Sequence, residues 1–256
     1  MMPMRPLLLR IGVTGHRTEP DDLLAEERKR SVPDIPAIRA AIREVLDEIR
    51  VVFKQVAGAK GELFDINPST YSQHGGDTLS LISSLASGAD QWVADEAIKL
   101  GFELYSVLPF GRDEYLKDFT AEADARCYLD LLLKSTTILE LDGNVGIDKT
   151  GKRKPDNRSY ETVGLEILRR TDLLITIWDG EDAQGAGGTG QIVREALQNG
   201  IPVAWIPWTS PGKWLLGQPP LNKNEKTVDF FGGNERLSEI IWKIMLPLNE
   251  DHHAIF

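Results

Sequence analysis

A chain of 256 residues with 41% hydrophobic and 27% charged residues can bury a substantial core in one large domain and has the balance of a globular protein. Its formal net charge of -10 lacks the basic face that long nucleic acid needs, so the expected partner is a small anionic molecule and no long nucleic acid. The single cysteine, Cys127, and four scattered histidines exclude a disulfide framework and a metal-ligand pattern, and no apolar run approaches the roughly 20 residues of a membrane span. The N-terminal MMPMRPLLLRIGV makes a poor signal peptide, so the expected location is cytoplasmic, without membrane insertion.

Residues 7–13 form a nearly continuous apolar run that predicts a first buried strand, ending in the turn Thr14-Gly15-His16-Arg17. Ile38, Ile42, Val45, Ile49, Val52 and Val56 recur every three or four residues and predict a helix over 36–57, with Pro36 in its first turn and Gly58 at its exit. After an irregular stretch at 61–76, a second strand is predicted at 78–86, then Ser87-Gly88-Ala89-Asp90 and a helix running to Leu100. A third strand at 103–108 ends in Pro109-Phe110-Gly111-Arg112, a long helix covers 113–134, and a fourth strand covers 136–141. The polar loop at 143–159 carries Lys149, Lys152, Arg153, Lys154 and Arg158; it reads as a solvated loop or as a lid over a polyphosphate. A helix at 160–170 leads into a fifth strand at 173–178, the acidic turn Asp179-Gly180, a glycine-rich loop at 185–190, a helix from Gln191 and a sixth strand at 201–207.

Strands that are near-continuous apolar runs, alternating with helices, predict a doubly wound α/β domain: a Rossmann-like parallel sheet with helices on both faces, over residues 1–210. Residues 211–256, rich in Pro, Gly and Asn before one last helix at 235–245, read as a C-terminal extension. In such a sheet all carboxyl ends of the strands share one edge, where ligands bind. The distinctive short segments Thr14–Arg17, Ser87–Asp90, Pro109, Asp179 and Gly187-Gly188-Thr189-Gly190 all fall there.

A strand running through glycines into a helix presents amides and a positive dipole end to an anion, so Gly187, Gly188, Thr189 and Gly190 are the candidate phosphate cradle. The loop follows the fifth strand and no acid ends the next one, so it is neither a dinucleotide fingerprint nor a Walker A loop. Arg17 suits an anion clamp or a surface ion pair, and His16 suits fixing the turn or acid–base work. Ser87 and Asp90 serve capping or ligand binding, and Glu195 is either a functional carboxylate or a solvated helix charge.

Taken together, GVTGHR, SLASGAD, VLPF, ITIWDG and GAGGTGQIV resemble the SLOG superfamily, a Rossmann-like group that includes the Lonely Guy phosphoribohydrolases, DNA-processing protein A and nucleotide-sensor domains of TRPM channels and bacterial defence systems. The likeness spans most of residues 7–208 and is nearest the bacterial sensor-type branch. It implies that Gly187 to Gly190 hold a phosphate or pyrophosphate, with Thr14, Gly15, His16, Arg17 and Ser87, Gly88, Ala89, Asp90 around ribose and base. The hydrolase signature P-G-G-x-G-T-x-x-E is not kept: Ala186, Gln191 and Arg194 stand at the proline, threonine and glutamate, and Glu195 is displaced by one residue.

The expected function is therefore a nucleotide sensor whose ligand, ADP-ribose-like or a cyclic nucleotide, is a signal rather than a cofactor. It would act through homo-oligomer contacts or a partner, leaving a membrane-bound effector open. The alternative is N-glycosidic cleavage of a nucleoside monophosphate, with Asp179 or Glu195 as the catalytic carboxylate. Binding of single-stranded DNA, as in DNA-processing protein A, is disfavoured by the acidic charge.

Overall fold

The computed structural model of the chain describes residues 6–18, 33–63, 76–181, 187–217 and 230–246. Six strands run parallel: β1 (Leu8–Gly15), β2 (Thr78–Ser83), β3 (Glu103–Leu108), β4 (Thr137–Glu140), β7 (Leu173–Trp178) and β8 (Val203–Pro207). Two short antiparallel strands, β9 (Leu215–Gly217) and β10 (Phe230–Gly232), continue the sheet, giving the order β10-β9-β8-β7-β1-β2-β3-β4. β5 (Val145–Ile147) and β6 (Arg153–Pro155) form a separate hairpin. The mostly parallel sheet is covered by helices on both faces, a doubly wound Rossmann-like α/β fold.

The larger core lies on one face. There Leu9, Ile11 and Val13 of β1 and Leu173, Ile175 and Ile177 of β7 pack against α1 (Ile35–Leu63), α2 (Ala89–Lys99), α4 (Glu122–Lys134) and α7 (Gly233–Met245). The α1 stripe read from the sequence, Ile38, Ile42, Val45, Ile49, Val52 and Val56, is buried throughout. Two smaller clusters cover the opposite face under α5 (Asn157–Leu168) and α6 (Thr189–Gln198). The C-terminal segment supplies its predicted helix and also β9 and β10, and α7 packs on α1.

Three expectations need correction. The helix predicted over 113–134 is broken into α3 (Arg112–Tyr115), a 3-10 turn (Leu116–Asp118) and α4. Phe119 and Ala121 adopt extended backbone because the Phe119 ring turns inward, stacking on Tyr128 at 4.8 Å and meeting Tyr115 edge-on at 5.3 Å. The basic stretch at 143–159 is not a plain loop, since it contains the β5–β6 hairpin. And β2 stops at Ser83, where Leu85 enters the left-handed region at φ 58 to reach full burial. That conformation costs a non-glycine residue roughly 1–3 kcal/mol and persists only when its surroundings over-determine it. Here the Leu85 N–H donates to Ser83 Oγ (3.0 Å) and Gln91 Nε2 donates to the Leu85 carbonyl (3.2 Å).

Candidate functional site

The strand order reverses between β1 and β7, and open α/β sheets bind ligands at the carboxyl edge of such a switch point. The turn after β1 is locked there from both sides. His16 N–H donates to the Ile177 carbonyl (3.0 Å), and the His16 carbonyl accepts from Ala89 N–H (3.1 Å) at the start of α2. A side chain at Gly15 would place its Cβ 2.4 Å from Ala89 Cβ, so glycine lets α2 approach this closely.

Beside the turn, on the α5–α6 side, lies a cavity of about 80 Å³, room for several water molecules. It is lined by Val13, Thr14, Gly15 and Arg17 from β1 and its turn, by Ser84, Ala86 and Asp90 around the start of α2, and by Pro109 and Tyr115. Tyr160, Val163, Gly164 and Ile167 of α5 with Gly187, Thr189 and Ile192 close the far wall. Its polar groups come from Arg17, Ser84, Asp90, the two tyrosines and Thr189, and the rest of the lining is largely aliphatic carbon.

Asp90 is 5% exposed. Its Oδ2 accepts from Ser84 Oγ (2.6 Å), Ser84 N–H (3.2 Å) and Ser83 Oγ (3.4 Å), while Oδ1 has no hydrogen bond from the described residues. Burial pushes the Asp90 carboxyl up to about 6, against the downward pull of the Ser84 hydrogen bonds and the Arg17 charge. The Arg17 guanidinium also lies over the Tyr160 ring, 4.9 Å from its centre. Burial holds the phenols of Tyr115 and Tyr160 above their usual range, and for Tyr160 the hydrogen bond to Asp118 (2.5 Å) adds to it. Both therefore remain neutral donors.

At the glycine loop, Gly185 and Ala186 lie outside the described residues. Gly187 sits at φ 81 against α5, where a Cβ would come within 2.6 Å of the Glu161 nitrogen. Its N–H is committed within the protein, donating to Gln191 Oε1 (2.9 Å), while Gln191 Nε2 donates to Glu161 Oε1 (2.6 Å). The next donors are different. Gly188 caps α6, its carbonyl accepting from Gln191 and Ile192, so the amides of Thr189 and Gly190 in the first turn have no intrahelical acceptor. Thr189 faces the cavity.

Of the residues singled out from the sequence, Thr14, Gly15, Arg17, Asp90, Pro109, Gly187 and Thr189 meet at this cavity. His16, Ser87, Gly88, Ala89, Asp179, Gly188, Gly190 and Glu195 are not part of its lining. His16 points to the other side of β1, 7% exposed, edge-on to Trp208 at 5.3 Å, and Trp208 stacks with Trp92 at 6.2 Å. Its Nε2 lies 3.1 Å from the Asp179 amide and 3.0 Å from Asp179 Oδ1, so one tautomer accepts from the amide and the other donates to the carboxylate. Asp179 Oδ1 also accepts from Glu181 N–H (3.0 Å), which ties that carboxylate into its own turn. Ala89 is packed beneath Gly15, and Gly88 at φ 86 admits the His16 carbonyl, 2.6 Å from where a Cβ would stand.

Sequence reasoning missed Ser84, Tyr115 and Tyr160. Ser84 opens the SLASGAD segment, and its distance from Asp90 was the only signal available for it. The basic hairpin meets the site through a single arginine: Arg153 bonds Glu114 Oε1 (2.6 Å) and Asp118 Oδ1 (2.5 Å), and Asp118 Oδ2 takes the Tyr160 hydroxyl. Lys149, Lys152, Lys154 and Arg158 are exposed. Among the described residues, no helix is long and apolar enough to cross a membrane.

No protein-family model matches the chain, and no curated protein does. Among solved structures it is similar to DNA processing protein A from Streptococcus pneumoniae, with 14% identity, a TM-score of 0.44, and 78% of this chain against 50% of that one covered. It is also similar to DNA processing protein A from Helicobacter pylori, with 13% identity, a TM-score of 0.42, and 91% and 73% covered. The chain thus spans about half the length of the Streptococcus protein. The Helicobacter structure is described as showing a single-stranded DNA binding mode, which overturns the expectation that long nucleic acid is excluded as a partner. The physical error was to read a local property from a global one: a net charge of -10 says nothing about the field at one edge of the sheet, where a strand needs only a short run of anion contacts. Both similarities are ones of fold.

Proposed function

We propose that the chain binds a phosphate-bearing nucleotide or nucleotide-derived ligand in the cavity beside the β1 turn, closed by α5 and α6, and works as a sensor-type SLOG domain. The observation that carries this reading is the convergence on one cavity, at the carboxyl edge of the sheet, of Arg17 and of Thr189, whose amide in the first turn of α6 has no intrahelical acceptor. Phosphate oxygens would take the Thr189 amide and hydroxyl, with Arg17 as the charged clamp. The aliphatic wall of Val163, Ile167 and Ile192 would cover an apolar part of the same ligand.

Titration calorimetry of the whole chain with AMP, ADP-ribose, cyclic AMP and a single-stranded oligonucleotide, beside mass spectrometry of material released from the purified protein, tests this. Arg17→Ala is expected to weaken the tightest of these by roughly tenfold or more. If no member of the set binds and none is recovered, the reading fails.

One observation favours a second reading, N-glycosidic cleavage. Asp90 places a carboxyl with a raised pKa inside the cavity, whereas Asp179 and Glu195 are not part of its lining. Incubation with AMP would then release free adenine, and AMP recovered intact refutes it.

A further inference from the structure

Many cations of this acidic chain are paired with carboxylates close by, as Arg43 is with Glu96 (3.0 Å), Lys99 with Asp95 (2.8 Å) and Lys134 with Asp130 (2.6 Å). The stretch from β5 into α5 departs from this. Residues 143–158 carry five cations against two carboxylates, and both carboxylates are turned to backbone amides. Asp148 Oδ1 accepts from the N–H groups of Thr150 (2.8 Å) and Lys152 (3.0 Å), and Asp156 Oδ1 accepts from Arg158 N–H (3.0 Å) at the start of α5. Arg153 is held by Glu114 and Asp118, but Lys149, Lys152, Lys154 and Arg158 are exposed and make no ion pair with the described residues.

The hairpin presents these charges in a fixed arrangement. Asp148 N–H donates to the Lys152 carbonyl (2.8 Å) and Gly151 N–H to the Asp148 carbonyl (3.0 Å), with Gly151 at φ 82, which closes the loop tightly. Because Arg153 faces the body of the protein, strand alternation puts Lys152 and Lys154 on the outer face, with Lys149 in the loop. Ile147 pairs with Arg153 across the hairpin, yet it is 75% exposed. An aliphatic side chain held out among unpaired lysines suits a partner that is both anionic and apolar. A single nucleic acid strand is gripped by stacking its bases on aromatic rings, and residues 143–158 contain none. Three of the four unpaired cations are lysines, point charges suited to a diffuse anionic field rather than to bidentate reading of one phosphate. An anionic bilayer surface meets both demands, with headgroup charge for the lysines and acyl chain for the isoleucine. The negative charge of the rest of the chain is repelled by that surface and turns the hairpin toward it.

We propose that the β5–β6 hairpin is a docking surface for anionic lipid bilayers, with Lys149, Lys152 and Lys154 on the headgroups and Ile147 at the acyl boundary. Partitioning of the whole chain onto phosphatidylserine–phosphatidylcholine vesicles, beside phosphatidylcholine vesicles and a single-stranded oligonucleotide, tests it. The chain is expected to bind the anionic vesicles at low salt, to release them at high salt, and to ignore the neutral ones. Each lysine at such a surface contributes roughly fivefold, so Lys149→Glu, Lys152→Glu and Lys154→Glu together should weaken binding by about 100-fold or more. Ile147→Ser should weaken it by roughly three- to tenfold and leave its salt dependence unchanged. All four side chains are exposed, so the variants keep the fold, which an unchanged Tm verifies. No partitioning onto anionic vesicles, or partitioning that survives the triple substitution, overturns the proposal. An Ile147→Ser chain that binds as the natural one does overturns the lipid assignment, since charge alone then accounts for binding. If the lysines hold the oligonucleotide while the vesicles stay unbound, the hairpin is a nucleic acid surface and the proposal falls.

Discussion

Replacing Asp90 by Asn should stabilise the protein at neutral and alkaline pH and leave it nearly unchanged in acid. The carboxyl titrates at 3.8 when unperturbed and at about 6 in the fold. Between those values the folded chain holds a proton that the unfolded chain has lost, so stability falls as pH rises through the window and levels off above it. The gap, at about 1.4 kcal/mol per pH unit, amounts to about 3 kcal/mol, with no discount for solvent because the side chain is buried. Asn keeps an oxygen for the Ser84 N–H (3.2 Å) and the Ser84 hydroxyl (2.6 Å) and never ionises. Urea midpoints of both proteins at pH 4 and pH 8 read the effect, since other titrating groups cancel in the difference. The variant should match the natural chain near pH 4 and exceed it by up to about 3 kcal/mol at pH 8, or roughly 5–10 °C in Tm. An equal gap at both pH values, or a variant less stable at pH 8, would refute the claim that burial of this charge opposes folding.

Further outcomes follow from the same geometry. Arg17→Ala removes a charge that pulls the Asp90 pKa down, so in that background the pH window of the Asn substitution should extend to higher pH, measured by the same urea series. Gly88→Ala forces a side chain onto φ 86 and to within 2.6 Å of the His16 carbonyl; a loss of roughly 3 kcal/mol or more is expected in thermal unfolding, and a neutral result would mean that the α2 entry can shift. Gln191→Ala strips the acceptor from the Gly187 N–H and the donor from Glu161, and should cost about 1–2 kcal/mol in urea unfolding. Arg153→Ala should speed amide exchange across residues 145–155 while β1 and β7 keep their protection, because Glu114 and Asp118 are its anchors outside the hairpin.

The fold was legible where burial acts on both faces of a strand. β3 and β7 read with their observed bounds, and β1 and β8 nearly so, because a strand flanked by strands and covered on both faces is a near-continuous apolar run. The α1 stripe was legible for the matching reason: one face of a long helix meets the sheet. The break at Phe119 was not, since nothing local forbids a helix there and the break comes from ring contacts with Tyr115 and Tyr128. The hairpin was hidden by its composition, because Arg153 looks like its exposed lysine neighbours until the carboxylates of α3 and the 3-10 turn are placed beside it.

The candidate site divides in the same way. Periodicity put Thr14, Arg17, Asp90 and Thr189 at the right edge of the sheet, yet which of two adjacent residues faces the cavity depends on the register of β1 between its neighbours. His16 and Arg17 diverge at that point. His16 goes toward Trp208 and the larger core, and Arg17 toward Tyr160 and α5. Both therefore follow from the one turn that Gly15 and Gly88 allow: with the His16 carbonyl and amide held by α2 and β7, the imidazole anchors the turn on the filled face and directs the guanidinium to the cavity that Thr14 and Gly15 line. On this view the histidine is a positioning residue for the arginine, and the cation at the cavity is placed by packing on the opposite side of the sheet.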